Sequence, residues 1–211
     1  MSEVTPLGAA GFAAATGVSR ETLERLEAYA DLLVTWSARI NLVGRVTLED
    51  LWRRHFLDSA QLLPLIPTGT QSLADLGSGA GFPGLVLAIL GVPGVELIEA
   101  DSRKAAFLRE VARVTGTDVA IRGCRIEAVP PHPIDVVTAR GCAPLERLLP
   151  LAERLIGPTT TCLFLKGVRA EEELTAAGKA WTMTVSRRPS RADPDGSVLV
   201  LKQVVREPRR A

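Results

Sequence analysis

Residues 73–84 read "LADLGSGAGFPG", with Gly77, Gly79, Gly81 and Gly84 directly behind a short apolar run. Glycines at that point strip side chains from a strand-to-helix turn, so that backbone can approach a bound molecule closely. Gly79, Gly81 and Gly84 satisfy G-x-G-x-x-G, and Glu99 follows 20 residues after Gly79, at the end of the next β-type run. Taken alone, this is a dinucleotide fingerprint, in which helix N-terminal amides hold a diphosphate and the acid holds a ribose.

The loop is longer than that fingerprint. It begins at Gly77 and follows Asp75, giving D-x-G-x-G-x-G. A diphosphate gains nothing from a carboxylate at the strand end. S-adenosyl-L-methionine carries a sulfonium and an ammonium and no phosphate, so an acid beside bare backbone suits it better. The methyl donor is the favoured ligand, and an NAD-binding oxidoreductase is the alternative to be separated from it.

The elements that must position this loop are legible as changes of rhythm. Residues 1 to about 18 are rich in Ala and Gly and predict a loosely held arm. Ser19 as a cap, Val18 and Leu23 as a staple, and the stripe Leu23, Leu26, Ala30, Leu33 predict a helix over about 20–38. Thr47 and Asp50 resemble a capping box, and Leu48, Leu51, Trp52, His55 and Leu62 continue a second helical stripe up to Pro64. From residue 72, "SLADLG", "VELIEA", "DVAIRG", "IDVVTAR" and "CLFLKG" alternate with helical runs, which predicts a parallel sheet. "TMTVSRR" and "SVLVLKQVV" are joined by the turn-rich "PSRADPDG" and predict a terminal antiparallel hairpin. The expected organisation is a helical cap over 1–66 and an α/β, Rossmann-like domain over 67–211. Its sheet is seven-stranded, mostly parallel, and of the class I methyltransferase type.

Composition narrows the setting. With 46% hydrophobic residues in 211, the chain buries a sizeable core, and a formal net charge of +1 exerts no global pull on nucleic acid or membrane. Cys124, Cys142 and Cys162 show neither C-x-x-C nor metal-ligand spacing, so they read as reduced, mostly buried thiols and no metal is expected. No apolar stretch approaches the length of a bilayer span, and no secretory signal is visible. A cytoplasmic protein is expected.

Several further segments fall in a recognisable order: "NLVG" (41–44), "RHFLDS" (54–59), "RIEAV" (125–129), "TARGCAPL" (138–145) and "FLKG" (164–167). Together with the glycine loop they resemble the bacterial small-subunit ribosomal RNA guanine-N7 methyltransferases, the glucose-inhibited division protein B family, over roughly 22–170. The resemblance implies a class I fold with a helical N-terminal extension, S-adenosyl-L-methionine as donor, and a guanine of 16S rRNA as acceptor. It also implies donor contacts at Gly77 and Phe82 in the loop, Ile126 and Glu127 on the adenine side, and Arg140 after the fourth strand. Glu99 matches the ribose acid, where the family usually has Asp; Asp101 is the competing position. Asp75, Ser78 and Gly79 complete the cofactor set.

Guanine N7 offers an in-plane lone pair and no proton, so attack needs no general base and catalysis reduces to positioning. "TARGCAP" accordingly lacks the signatures of amino-group or cytosine-C5 methylation. Asn41, Arg54, His55 and Lys166 are the candidates for catalytic support, though His55, Asp58 and Ser59 share a helical face and read equally well as a polar network. Arg53, Arg54, Arg187 and Arg188 are candidates for phosphate contact, with Arg191, Arg206, Arg209 and Arg210 further along. Trp36 or Trp52 is placed to stack a base. The expected partner is rRNA within a small-subunit particle, bound by a monomer. Another RNA position or a non-RNA acceptor is the remaining alternative.

Overall fold

The computed structural model describes residues 6–208; Arg209 and Arg210 lie outside the described residues. Seven strands form one sheet in the order β3-β2-β1-β4-β5-β7-β6. They are β1 Leu73–Leu76, β2 Val95–Ile98, β3 Ala120–Arg122, β4 Val136–Arg140, β5 Thr161–Lys166, β6 Trp181–Pro189 and β7 Ser197–Arg206. β1 to β5 run parallel, and β7 inserts antiparallel between β5 and β6. The chain order turns back between β1 and β4, so their carboxyl ends frame the crevice where open α/β sheets bind ligands.

Alternation along the strands divides the core in two. Leu73, Leu97, Val136 and Leu163 face one side, while Ala74, Leu76, Val137, Cys162 and Phe164 face the other. The first side is covered by α2 (Arg20–Ser37), α5 (Gly84–Ile89) and α6 (Ser102–Thr115), the second by α7 (Leu145–Ala152) and α8 (Ala170–Ala177). Leu26, Tyr29, Leu33 and Phe56 of the cap share the first core with Leu85 and Phe107. The core therefore runs across the 64–71 seam, which marks a change of secondary structure.

Three expectations are corrected here. The N-terminal arm contains a helix, α1 (Ala9–Thr16), because Phe12 gives it an anchor: the ring is fully buried against Trp52, 5.4 Å between centroids, and Phe56. The capping box at Thr47 does not form. Gly44 is the cap of α3 (Arg45–Leu48), Thr47 donates to the Gly44 carbonyl at 2.6 Å, and Asp50 accepts from Leu7 N. The expected continuous helix to Pro64 is instead broken by a π-helical turn, Trp52–Leu57, before α4 (Asp58–Ala60) and a 3-10 turn, Leu63–Leu65. Helix α8 had no counterpart in the sequence pattern, since "EEE" in its first turn masks a short apolar face.

Candidate functional site

The glycine loop leaves β1 at Gly77, which has φ +64°, and turns into α5. Its amides are largely committed within the protein. Gly79 N donates to Glu99 Oε2 at 2.8 Å, Gly81 N and Phe82 N donate to the Ser78 carbonyl, and Gly84 N donates to Asp75 Oδ2 at 3.2 Å. A diphosphate needs those amides free. Glu99 is also held by Asp101 N at 2.7 Å, so each carboxylate oxygen keeps a second lone pair for a hydroxyl donor. Asp101 instead caps α6, accepting from Arg103 N and Lys104 N.

Asp75 requires a correction. Its carboxylate is 0% exposed and accepts from Thr138 Oγ1 at 2.7 Å as well as from Gly84 N. Burial pushes it up to about 6 against those hydrogen bonds. It cannot present its charge to a sulfonium from there; it ties β1 to β4 and to the start of α5. Gly84 permits this, because a Cβ there would lie 2.6 Å from the Asp75 Cβ. The preference for a methyl donor therefore rests on committed amides and not on an exposed acid.

Phe82 is likewise inside. It stacks on Tyr29 (5.3 Å, 12°) and on His55 (4.9 Å, 26°), with the Arg140 guanidinium 4.9 Å above its ring. The chain's one tyrosine also donates its hydroxyl to the Ala80 carbonyl. Cap helix α2 thus grips the loop directly. Tyr29→Phe is expected to cost about 1 kcal/mol in urea unfolding and to weaken donor affinity several-fold, because one buried carbonyl loses its partner. Unchanged affinity in calorimetry would show that Phe82 stacking alone holds the loop.

Arg140, at the end of β4, clasps the cap. It donates to the Arg54 carbonyl at 2.9 Å, Asp58 Oδ2 at 3.1 Å and His55 Nδ1 at 2.9 Å. A guanidinium only donates, so His55 Nδ1 accepts and the proton sits on Nε2, facing Thr47 Oγ1 at 2.9 Å. Both ring nitrogens are occupied. Burial, then Arg140 and Arg54, push His55 down to about 3, so it is a neutral strut and not a base. Its depressed pKa contributes stability that is full above about 6.5 and falls away towards 3. The unfolding free-energy advantage of wild type over His55→Gln is expected to shrink by about 2 kcal/mol between about pH 6.5 and about pH 5. Denaturant titrations at those two values check the sign.

Between cap and sheet lies a cleft of about 510 Å³, lined by Arg54, His55, Asp58, Arg140, Cys142 and Lys166 together with Glu173, Ser190 and Asp193. Lys166 donates to the Ala143 carbonyl at 2.6 Å and pairs with Glu173 at 2.8 Å. Cys142 joins this cleft to the glycine loop, since a Cβ on Gly77 would meet its Sγ at 2.9 Å. Burial raises the Cys142 thiol; Cys124 and Cys142 are half-buried, and Cys162 alone is fully buried, pushed up to about 12.

Other candidates fall outside the cleft. Asn41 is exposed in a smaller cleft beside Asp101, Arg103 and Lys104. Ile126 and Glu127 lie on a 3-10 turn, Ile126–Ala128, held by Arg154, which donates to the Glu127 and Val129 carbonyls. Arg53 pairs with Asp50; Arg54, which does line the cleft, pairs there with Asp193; Arg187 and Arg188, adjacent on β6, point to opposite faces. Arg191 donates to the Ala15 carbonyl and Arg206 pairs with Glu153. Trp36 and Trp52 are both partly buried against the first core. Trp36 packs on Phe107 at 5.5 Å and Trp52 on Phe56 at 4.6 Å.

Tyr29, Thr138, Glu173, Ser190 and Asp193 are residues of this region that the sequence pattern did not single out. Tyr29 had a signal, three residues after Leu26 on the α2 stripe. The others are joined only by tertiary contact.

Sheet order and closing hairpin define the class I methyltransferase fold. The fold is shared with a ribosomal protein L11 methylase from Lactobacillus delbrueckii subsp. bulgaricus (TM-score 0.55, 17% identity, 69% of this chain and 76% of that one). It is shared also with a mutant of MtNAS in complex with S-adenosylmethionine (TM-score 0.56, 16% identity, 93% and 84%). More specifically, the GidB family model, rRNA small subunit methyltransferase G, matches residues 22–192, and the chain belongs to that family. It is 63% identical over 191 residues to a Ribosomal RNA small subunit methyltransferase G from Paramagnetospirillum magneticum, covering 90% of this chain and 93% of the relative. A relative of the same name from Rhodospirillum centenum is 59% identical over 196 residues, covering 93% and 91%. S-adenosyl-L-methionine is accordingly its methyl donor.

Proposed function

We propose that this chain transfers the methyl group of S-adenosyl-L-methionine to N7 of a guanine in 16S rRNA, in line and without a general base. The observation that carries the donor side is the commitment of the Gly79, Gly81, Phe82 and Gly84 amides, which leaves no cradle for a diphosphate. Gly77, Ser78 and Gly79 offer backbone to the donor, Glu99 its spare lone pairs to the ribose hydroxyls, and Ile126 and Glu127 the wall beside the adenine. Asp75, Phe82 and Arg140 act from behind, fixing the loop and the cap. The acceptor enters the cleft between cap and sheet, where the cations Arg54, Arg140, Lys166 and Arg169 are interleaved with the carboxylates Asp58, Glu173 and Asp193. His55, neutral and doubly hydrogen-bonded, suits a reaction that moves no proton.

The proposed setting is the cytoplasm, with a monomer acting on rRNA in a small-subunit particle. Among the described residues no helix is long and apolar enough to cross a membrane. Over the described residues, the cap acts with the Rossmann-like domain as one body, because they share a core. Calorimetry against S-adenosyl-L-methionine and NAD tests the donor. Labelled methyl transfer to naked rRNA and to particles, followed by nucleoside analysis, tests the rest. The expected product is 7-methylguanosine, and label in any other nucleoside overturns the acceptor assignment.

A further inference from the structure

Three carboxylates line the acceptor cleft, and their partners tell them apart. Asp58 Oδ1 accepts from Gln61 at 2.8 Å and Oδ2 from Arg140 at 3.1 Å. Asp193 Oδ1 accepts from Asp195 N at 3.1 Å, and Oδ2 faces Arg54 at 3.2 Å. Glu173 is held through one oxygen. Oε2 meets Lys166 Nζ at 2.8 Å and Leu145 N at 2.9 Å, whereas Oε1 has no hydrogen-bond partner among the described residues. Lys166 is itself pinned by the Ala143 carbonyl, so strand β5 and the start of α7 hold the carboxylate in place.

We propose that Glu173 is the base-recognition residue of this cleft, its unpartnered oxygen accepting from the N1–H and N2 amino edge of the target guanine. The proposal rests on the guanine-N7 reading above. A purine with N7 towards a methyl donor turns its six-membered-ring edge away from that donor, and in guanine that edge presents hydrogen-bond donors. As the N7 lone pair takes the methyl carbon, the carbon–sulfur electron pair leaves with the sulfur, giving S-adenosylhomocysteine and a cationic ring. No proton moves. N1–H becomes more acidic as the charge develops, so its hydrogen bond to a carboxylate is stronger in the transition state than in the ground state. Adenine also has an N7, but its N1 is a lone pair, which a carboxylate repels. One residue therefore assists the reaction and rejects the wrong purine.

The test is single-turnover methyl transfer to small-subunit particles assembled from rRNA with guanine or adenine at the methylated position. Wild type, Glu173→Gln, Glu173→Asp and Lys166→Met are compared. Glu173→Gln is expected to slow guanine methylation about 100-fold and to narrow the guanine-to-adenine rate ratio at least about tenfold, because its amide donates to adenine N1. Donor affinity is expected to stay unchanged. Glu173→Asp keeps the charge and is expected to keep the ratio. If Glu173 only anchors Lys166, Glu173→Gln and Lys166→Met slow both bases equally and the ratio stands, which overturns the proposal; so does guanine turnover by Glu173→Gln within about threefold of wild type. Absence of 7-methylguanosine from wild type instead sinks the N7 reading, and this proposal with it.

Discussion

A Gly77→Val chain is expected to remain folded and to bind S-adenosyl-L-methionine at least about 100-fold more weakly than wild type. At φ +64° a side chain is strained by about 1–2 kcal/mol, and a β-branched one by more. The new Cβ would also lie 2.9 Å from Cys142 Sγ, so the sulfur or the loop must move. Together these effects amount to about 3 kcal/mol, which is about two decades of affinity if the donor-binding conformation is the one strained. The sheet beneath has no reason to open, because Gly77 lies after β1 and outside both cores. Gly77→Ala with Cys142→Ala removes the sulfur contact but not the backbone strain, so partial recovery is expected. Calorimetry and circular dichroism check affinity and fold together. Retained affinity in Gly77→Val would show that the donor does not approach the loop at this point.

Arg140→Met is expected to lower stability by about 3 kcal/mol and to abolish most methyl transfer. Methionine replaces the apolar stem but none of the donors to the Arg54 carbonyl, Asp58 and His55. Removing one partner of a mostly buried pair leaves the other uncompensated, and the lower end of the usual range applies because both side chains still touch solvent. Burial already raises Asp58, with Arg140 opposing it; without Arg140 its folded pKa rises further above the unfolded value. An acid raised in this way destabilises when ionised, so the variant's deficit is expected to shrink as pH falls through that pKa. Asp58→Asn in the same background is expected to restore part of the loss at neutral pH. Urea unfolding across pH, with methyl transfer alongside, measures both. A deficit that does not vary with pH would mean that the clasp holds through His55 and the Arg54 carbonyl.

Much of this could be read from residues alone. Alternating short apolar runs and longer helical ones report local periodicity, and local periodicity decides whether a segment has a face to bury. Ser19 capped its helix, accepting from Thr22 N at 3.1 Å, because capping is decided within a turn of chain. The π-helical turn was not legible; within it the Arg54 carbonyl accepts from the guanidinium of Arg140, 86 residues away in sequence. Helix α1 was missed for the same reason: Phe12 has no partner in its own segment, and its burial depends on Trp52 and Phe56.

The sequence by itself determined the strands, the longer helices, the glycine loop, the family, and hence the donor and the class of acceptor. Those are properties of segments a few residues long and of their order. Tertiary structure alone decided which charges are available. Asp75 and Glu99 are both acids at strand ends, yet Asp75 is sealed by Thr138 and Gly84 while Glu99 keeps lone pairs at the loop. The reason is that a side chain's electrostatic role depends on which groups reach it through space, and residues 63 positions apart meet there.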